Sequence, residues 1–326
     1  MSLFVPSLKA RGHLENVHIT VGIVGSRKIL QDDDYGSKGW SALGQHLTIY
    51  GFDADEEACE AANAELETRK VAWQEKHIPL ALASQVGEAT LYVTGHPACS
   101  SLYPPNESLI SRFNGFEHSM KPAFSIELET TTIDQFCMNE NVEFDFLQVD
   151  VQGADLDVLK GARAALESCL LGVQVEVEFI PLYHQQPLFT DIDLFLRDYG
   201  LTLFDLVTDN PWCRVTRSCS PIRSATRAGQ LTWADACYLR DPLQHQANST
   251  QTPAQILKLA CLADVLEFPD YALELLCYVT IKYGNDPIYD FAPVIVEVFS
   301  QFSELANQGI DAFVNAMRDR LSSTLL

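Results

Sequence analysis

Residues Phe144 to Asp155, FDFLQVDVQGAD, constrain the fold more than any other stretch of the chain. Phe144, Phe146, Leu147 and Val149 crowd together as in a short strand buried on both faces, the habit of parallel sheets. From Asp155 the period changes. Leu156, Leu159, Ala162, Leu166 and Cys169 follow helical spacing, with Asp155 and Asp157 in the first turn, where the helix dipole favours anions. Gly153 permits the tight turn between strand and helix, and Gly172 is read as the helix stop. A second strand, Val173 to Phe179, follows at once and carries Glu176 and Glu178 near its end. Ligands of open α/β sheets sit beyond the carboxyl ends of strands, so Asp150 and Glu178 on neighbouring strands mark a site.

Charge and cysteine usage narrow the function classes. Among 326 residues the net charge is -22 and the isoelectric point about 4.6. Nucleic-acid affinity rests largely on Lys and Arg, so this balance disfavours nucleic acid, and anionic membrane surfaces with it. Nine cysteines without a CxxC pair read as reduced, mostly packed thiols rather than a disulfide framework or zinc site. Met1 to Gly12 lacks the apolar run of a signal peptide, and no stretch of about 18 apolar residues occurs. A cytoplasmic protein is expected.

Val17 to Gly25 reads as a first strand running into a glycine turn, followed by a polar connection with Asp32, Asp33, Asp34, Gly36 and Gly39 ahead of Trp40. Leu47 to Phe52 is the next strand and ends at Asp53, with a helix over Glu56 to Arg69. Strand, glycine turn, strand and terminal Asp make a mononucleotide-binding half, in which the Asp is placed to accept from a ribose diol. Gly22-x-x-Gly25 lacks the third glycine of the dinucleotide fingerprint, and an ordinary strand pair with a surface loop gives the same residues.

Ile78 to Ala83 is read as a third strand ending near Ser84, with further strands at Gly87 to Thr94 and Phe124 to Leu128. In the loop between them, Ser100 and Ser101 either donate to a ligand or satisfy turn backbone. Thr132 is expected to cap a short helix. Irregular chain from Ile180 to Phe189 leads to a helix over Asp191 to Tyr199, and Leu201 to Val207 and Trp233 to Leu239 are the last strands. Arg214, Arg217, Arg223 and Arg227 lie between them and could meet an anionic substrate group, although a solvated hairpin is the favoured reading. Beyond a polar linker at Gln244 to Pro253, helical segments are expected at about 254–265, 268–283, 290–306 and 309–321. Their apolar stripes suit packing against each other or against a second subunit, the latter giving a homodimer through these helices. The expected division is residues 1–242 as the α/β domain and 243–326 as a helical extension.

The chain resembles the FkbM family of S-adenosylmethionine-dependent methyltransferases. The resemblance is carried by LQVDVQGADLDVLKGA at Leu147 to Ala162, VEVEFIPLYHQQPLF at Val175 to Phe189 and TTIDQF at Thr131 to Phe136. ACSSLYPPN at Ala98 to Asn106 and YGFDADEEAC at Tyr50 to Cys59 add to it. It covers roughly residues 17 to 240 and implies a Rossmann-like, seven-stranded methyltransferase sheet, parallel except for its last strand, Trp233 to Leu239.

The same resemblance implies S-adenosyl-L-methionine as cofactor. Thr20, Gly22, Gly25, Asp53, Ala83, Ser84, Ser101, Asp150, Val151 and Gln152 would bind it: glycines for close approach, Asp53 for the ribose, Ala83 and Ser84 beside the adenine. Where the family's first strand usually has an acidic residue ahead of its glycine, as in DVGA, this chain has Thr20-Val21-Gly22-Ile23. Thr20 hydrogen-bonds but brings no charge. The implied activity is O-methylation of a hydroxyl on a sugar, glycan or natural product. Alignment carries much of such an in-line displacement, and a base is needed at the hydroxyl. Candidate bases are Asp150, Glu176, Glu178 and His184, with Asp150 and Glu178 lining the centre and His184 equally at home as a structural loop residue. No metal is predicted, because no ligand spacing defines one. The competing readings are a methyltransferase-like protein that binds without catalysis and a nicotinamide-dependent oxidoreductase, the latter opposed by the missing glycine and the Asp32 to Asp34 run.

Overall fold

The computed structural model describes residues 2–27, 39–226, 228–244 and 251–302. Asp32 to Asp34, Gly36, Arg227, most of the polar linker, the end of the 290–306 segment and the whole of 309–321 therefore lie outside the described residues. The chain opens with a short helix, α1 (Val5–Ala10), then alternates β1 (Ile19–Val24), β2 (Leu47–Asp53), α2 (Glu56–Thr68) and β3 (Gln74–Pro79). An inserted region holds β4 (Ala81–Leu82), β5 (Gly87–Thr94), α3 (Glu107–Ile110), α4 (Phe116–Ser119) and β6 (Pro122–Thr131). Alternation resumes with α5 (Ile133–Glu140), β7 (Phe146–Val149), α6 (Asp155–Lys160), α7 (Arg163–Ser168), β8 (Gly172–Glu178), α8 (Phe189–Asp198) and β9 (Leu201–Val207). A small hairpin, β10 (Arg214–Val215) and β11 (Gln230–Leu231), precedes β12 (Trp233–Arg240), and α9 (Pro253–Val265), α10 (Pro269–Tyr283) and α11 (Ala292–Ser300) follow.

Seven strands form the central sheet in the order β3-β2-β1-β7-β8-β12-β9, with β12 antiparallel to both its neighbours and β1, β2, β3, β7 and β8 mutually parallel. The mixed α/β, Rossmann-like architecture expected from the sequence is the one observed. Strand order reverses between β1 and β7, the switch point beyond whose carboxyl ends ligands of open α/β sheets sit.

Side chains alternate across a strand, so each face can be read from the sequence. On one face Leu147, Val149, Val173, Val175, Val177, Ala234, Ala236 and Tyr238 join Leu156, Leu159, Leu166, Ile192 and Leu196 of the intervening helices in one buried core. On the other, Ile19, Val21, Ile23, Leu47, Ile49, Phe146, Cys237 and Leu239 pack with α1, α9, α10 and α11. The helices after residue 252 thus form a layer against the sheet and share its core. That face changes character towards the carboxyl ends, where the same alternation presents Gln148, Asp150, Gln174, Glu176, Glu178 and Asp235.

Two buried carboxylates fasten this layer. Lys258 of α9 donates to Asp145 at 2.8 and 3.0 Å, and the backbone N–H of Thr20 reaches the same carboxylate at 2.9 Å. Asp264, also on α9, accepts from the backbone N–H groups of Leu3, Phe4 and Val5 at 2.8–2.9 Å and from the Ser2 hydroxyl. It therefore satisfies the orphan donors at the start of α1.

Some local expectations are corrected. The third strand begins earlier, at Gln74, because an edge strand need not be apolar; Ile78 to Ala83 is split between β3 and β4, which pairs with β6 in a separate three-stranded sheet with β5. The helix after Asp155 breaks at Gly161, where a Cβ would stand 2.2 Å from the carbonyl oxygen of Ala83. Gly172 opens β8 instead of stopping a helix, its face pressed by Leu239. Thr132 caps α5 as expected, accepting from Gln135 N at 3.0 Å. Arg214 to Arg223 fall in and beside the small hairpin, where Arg217 lies 4.1 Å above the ring of Phe113.

Candidate functional site

The turn after β7 is built from within. Gln152 (φ 56°) and Gly153 (φ 91°) both adopt left-handed backbone, and a non-glycine residue holds that conformation only where its surroundings fix it. Here the fixing group is Asp155, fully buried, which accepts from the backbone N–H groups of Val151 and Gly153 at 2.9 Å each. The Gln152 side chain is thereby aimed across the strand ends. Its amide donates to Asp150 Oδ1 at 2.8 Å and to Glu176 Oε2 at 2.7 Å. The Tyr183 hydroxyl, which donates to the Cys99 carbonyl at 2.9 Å, lies 3.2 Å from Gln152 Oε1.

This constellation concentrates carboxyl groups with no cation among the contacts above. Burial, reinforced by Asp150, pushes Asp155 up to about 8, and burial with neighbouring carboxylates drives Glu176 and Glu178 well above the usual range. Glu178 Oε2 and the nearby Gln186 Nε2 are both buried without a hydrogen bond of good geometry. The folded state therefore keeps protons that the unfolded chain releases near pH 4. Stability from these groups is fully present below that pH and falls as pH rises towards 8, by up to about 1.4 kcal/mol per pH unit for each retained proton. We expect urea midpoints to decline from pH 5 to pH 8 and the decline to be shallower in Glu178→Gln. Parallel slopes in the two proteins would contradict the assignment.

The other half of the site lies over β1 and β2. Gly25 (φ 81°) ends β1, and its N–H and that of Ser26 both donate to Phe52 O at 2.9 Å. A Cβ on Gly25 would stand 1.9 Å from the carbonyl oxygen of Asp150, so only glycine lets the ends of β1 and β7 meet. Asp53 ends β2, accepts from Asp55 N at 2.9 Å and is raised above the ordinary carboxylate value by burial. Asp55 caps α2 and pairs with Arg27 at 2.7 Å. Below the turn, buried His77 joins the Ser26 hydroxyl and Glu75, each at 3.0 Å.

One cleft of about 1640 Å³ unites these halves, and Gly25, Asp53, Ser101, Asp150, Val151 and Gln152 all line it. Other expected site residues lie elsewhere. Thr20 sits at the amino end of β1, paired with Thr48, and Gly22 lies mid-strand under Leu147 and Phe144. The glycine that ends the strand is Gly25, three residues further on. Ala83 is buried against Gly161 and Ser84 is exposed; the strand-three edge of the cleft is made by Leu80, Ala81 and Leu82 instead. Ser101 is buried and its hydroxyl accepts from Tyr103 N at 3.0 Å, which satisfies turn backbone. Glu178 is buried outside the cleft lining, and His184 is exposed and does not line the cleft. Gln148, Gln174, Trp233 and Asp235 also line it and were not singled out from the sequence. Their signal was available: Gln174, Glu176 and Glu178 alternate with Val173, Val175 and Val177, which marks a strand polar on one face.

All nine cysteines are free thiols, and among the described residues no helix is long and apolar enough to cross a membrane. The family model for the Methyltransferase FkbM domain matches residues 41–202. Among solved structures, the FkbM methyltransferase from Methylobacillus flagellatus KT is similar at 12% identity with a TM-score of 0.37; the match covers 69% of this chain and 44% of that one. The chain thus spans less than half the length of that relative. No curated protein matches.

Proposed function

Since this chain belongs to the FkbM methyltransferase family, we propose that it is an S-adenosyl-L-methionine-dependent O-methyltransferase acting on a hydroxyl of a sugar, glycan or natural product. The observation that carries this reading is the placement of Asp53 and Asp150 in one cleft, at the ends of β2 and β7 on either side of the Gly25 turn. The donor set suits the methyl donor: a carboxylate for a ribose diol at Asp53, an apolar edge for a purine at Leu80 to Leu82, and negative charge at Asp150 for a sulfonium. When bound, S-adenosyl-L-methionine supplies the methyl group, its C–S bond breaking as the acceptor oxygen takes the carbon.

Asp53 holds the diol, and Gly25 keeps the strand ends close enough for one ligand to span both. Asp150, the carboxylate open to the cleft, takes the hydroxyl proton while the Gln152 amide fixes its orientation. Glu178 and Glu176 stand behind it, and burial with neighbouring carboxylates raises both well above the usual carboxylate range, which favours the uncharged form and limits the repulsion Asp150 feels. His184, exposed outside the cleft, has no part in this scheme. The free thiols support a reducing, cytoplasmic setting.

Calorimetric titration with S-adenosylmethionine and its demethylated product tests the reading. Asp53→Ala should weaken donor binding by roughly ten- to a hundredfold, the worth of hydrogen bonds to a charged group; no binding to the wild type removes the proposal. A second reading, donor binding without turnover, rests on β1, whose turn glycine Gly25 follows Ile23 and Val24 with no acidic side chain in the strand. It gains if the donor binds and no acceptor in a broad glycan and metabolite panel is methylated.

A further inference from the structure

The cleft is larger than one ligand requires: about 1640 Å³ against roughly 300–1,000 Å³ for a pocket that encloses a drug-sized molecule. Its part over β1 and β2 is accounted for by the donor. Two sides of the rest have opposite character.

One side is the polar end of the central sheet. Gln148 on β7 lies directly across from Gln174 on β8, and Asp235 on β12 lies across from Glu176, two residues further along β8, so amides and carboxyls form a staggered row over three adjacent strands. Gln148, Gln174 and Asp235 face the cleft. Central strands seldom spend positions such as those of Gln148 and Gln174 on polar side chains without a ligand or core partner to satisfy them.

The other side is the small sheet. Cross-strand pairs alternate between its faces: Leu91 with Ile126 and Val93 with Phe124 on one, Thr90 with Glu127 and Tyr92 with Ser125 on the other. All four members of the apolar pairs line the cleft, yet Phe124 is 61% exposed and Ile126 44% exposed. The sheet thus turns its hydroxyls and carboxylate away from the cleft and leaves its apolar face open to it. That is the orientation of a wall awaiting an apolar occupant.

We propose that the acceptor is an amphiphile, with a hydroxyl-bearing head on the Gln148, Gln174 and Asp235 row and an apolar chain against Leu91, Val93, Phe124 and Ile126. The fate of the head rests on the methyl-transfer reading above; the two-sided binding does not. The polar row gives the head hydrogen bonds that fix which hydroxyl points to Asp150, and the apolar wall gives affinity without orientation. This wall is continuous with the donor cleft, so the chain is held within the same enclosure as the reacting head.

The test uses the full-length protein with saturating S-adenosylhomocysteine and two monomeric probes, octyl and methyl β-D-glucopyranoside, followed by calorimetry and by tryptophan fluorescence. The octyl compound should bind at least tenfold more tightly, and Phe124→Ser with Ile126→Ser should erase most of that advantage, since burying side chains of this size accounts for roughly a tenfold effect or more. Gln174→Ala should weaken both probes alike. Both wall residues are exposed, and circular dichroism checks that the variants fold. Equal affinity for the two probes, binding of neither, or an octyl advantage untouched by the wall substitutions overturns the proposal. Failure of S-adenosylhomocysteine to bind, with the octyl preference intact, would instead count against methyl transfer and leave the amphiphile site standing.

Discussion

Gly25→Ala should abolish binding of the methyl donor and destabilise the fold by on the order of 3 kcal/mol, whereas Gly22→Ala should leave donor binding in place. Two independent costs combine at Gly25. Its φ of 81° is left-handed, which disfavours any L side chain by about 1–2 kcal/mol. Its Cβ would also stand 1.9 Å from a backbone oxygen, that of Asp150, so the ends of β1 and β7 must part before alanine fits. That separation moves the turn carrying Asp150 and Gln152. At Gly22 the obstruction is the methyl tip of Leu147 at 2.6 Å, a side chain that can shift, for an overpacking cost of about 1–3 kcal/mol in the core away from the cleft. Thermal melts and donor titration of both variants decide the matter; donor affinity retained in Gly25→Ala would refute the placement of the turn.

Asp150→Asn should lower methyl transfer by roughly 10²- to 10⁴-fold, the usual worth of a positioned base, with the fold and the affinity for S-adenosylhomocysteine close to wild type. Asparagine keeps the oxygen that accepts from Gln152, so the turn loses no hydrogen bond. It also removes the charge that helps raise Asp155 and Glu176, so the variant should tolerate high pH at least as well as the wild type. Turnover is followed as S-adenosylhomocysteine release with an acceptor that the wild type methylates. Wild-type rates in the variant would make another group the base.

What the sequence made legible follows from which interactions are local. The strands at Val17 to Gly25, Leu47 to Phe52 and Val173 to Phe179 announce themselves because their apolar density is set by burial on both faces. Asp53 and Asp150 follow, since the residue that ends a buried strand is fixed by where its apolar run stops, whereas Val151 and Gln152 rest on the family resemblance. Register within a strand is harder. Thr20-Val21-Gly22 and Ile23-Val24-Gly25 are equally good strand ends on paper, and only the pairing with β7 shows which glycine closes the turn. The split of the helix at Gly161 was hidden for a similar reason: its cause is the carbonyl of Ala83, 78 positions away in the chain by subtraction of the two residue numbers. His184 sits two residues after Leu182 in a polar run that looks like an active-site loop, but the backbone N–H of His184 bonds Pro104 O and the residue faces solvent.

Asp264 and Lys258 have a consequence for how the chain is made. Residues 2–5 are the first of the described residues to leave the ribosome, yet their hydrogen-bond partner is residue 264. The Asp145 carboxylate beneath β1 likewise waits for residue 258. Until α9 and α10 are synthesised, the apolar face formed by Ile19, Val21, Ile23, Leu47 and Ile49 has only the short α1 segment for cover among the helices it packs with. The nascent sheet can complete its helix-lined side while its opposite side stays wet and adhesive. Maturation of this protein is thus a problem of timing, in which the last helices shelter the first strands, and any delay in translating them lengthens the interval of exposure to chaperones and to aggregation.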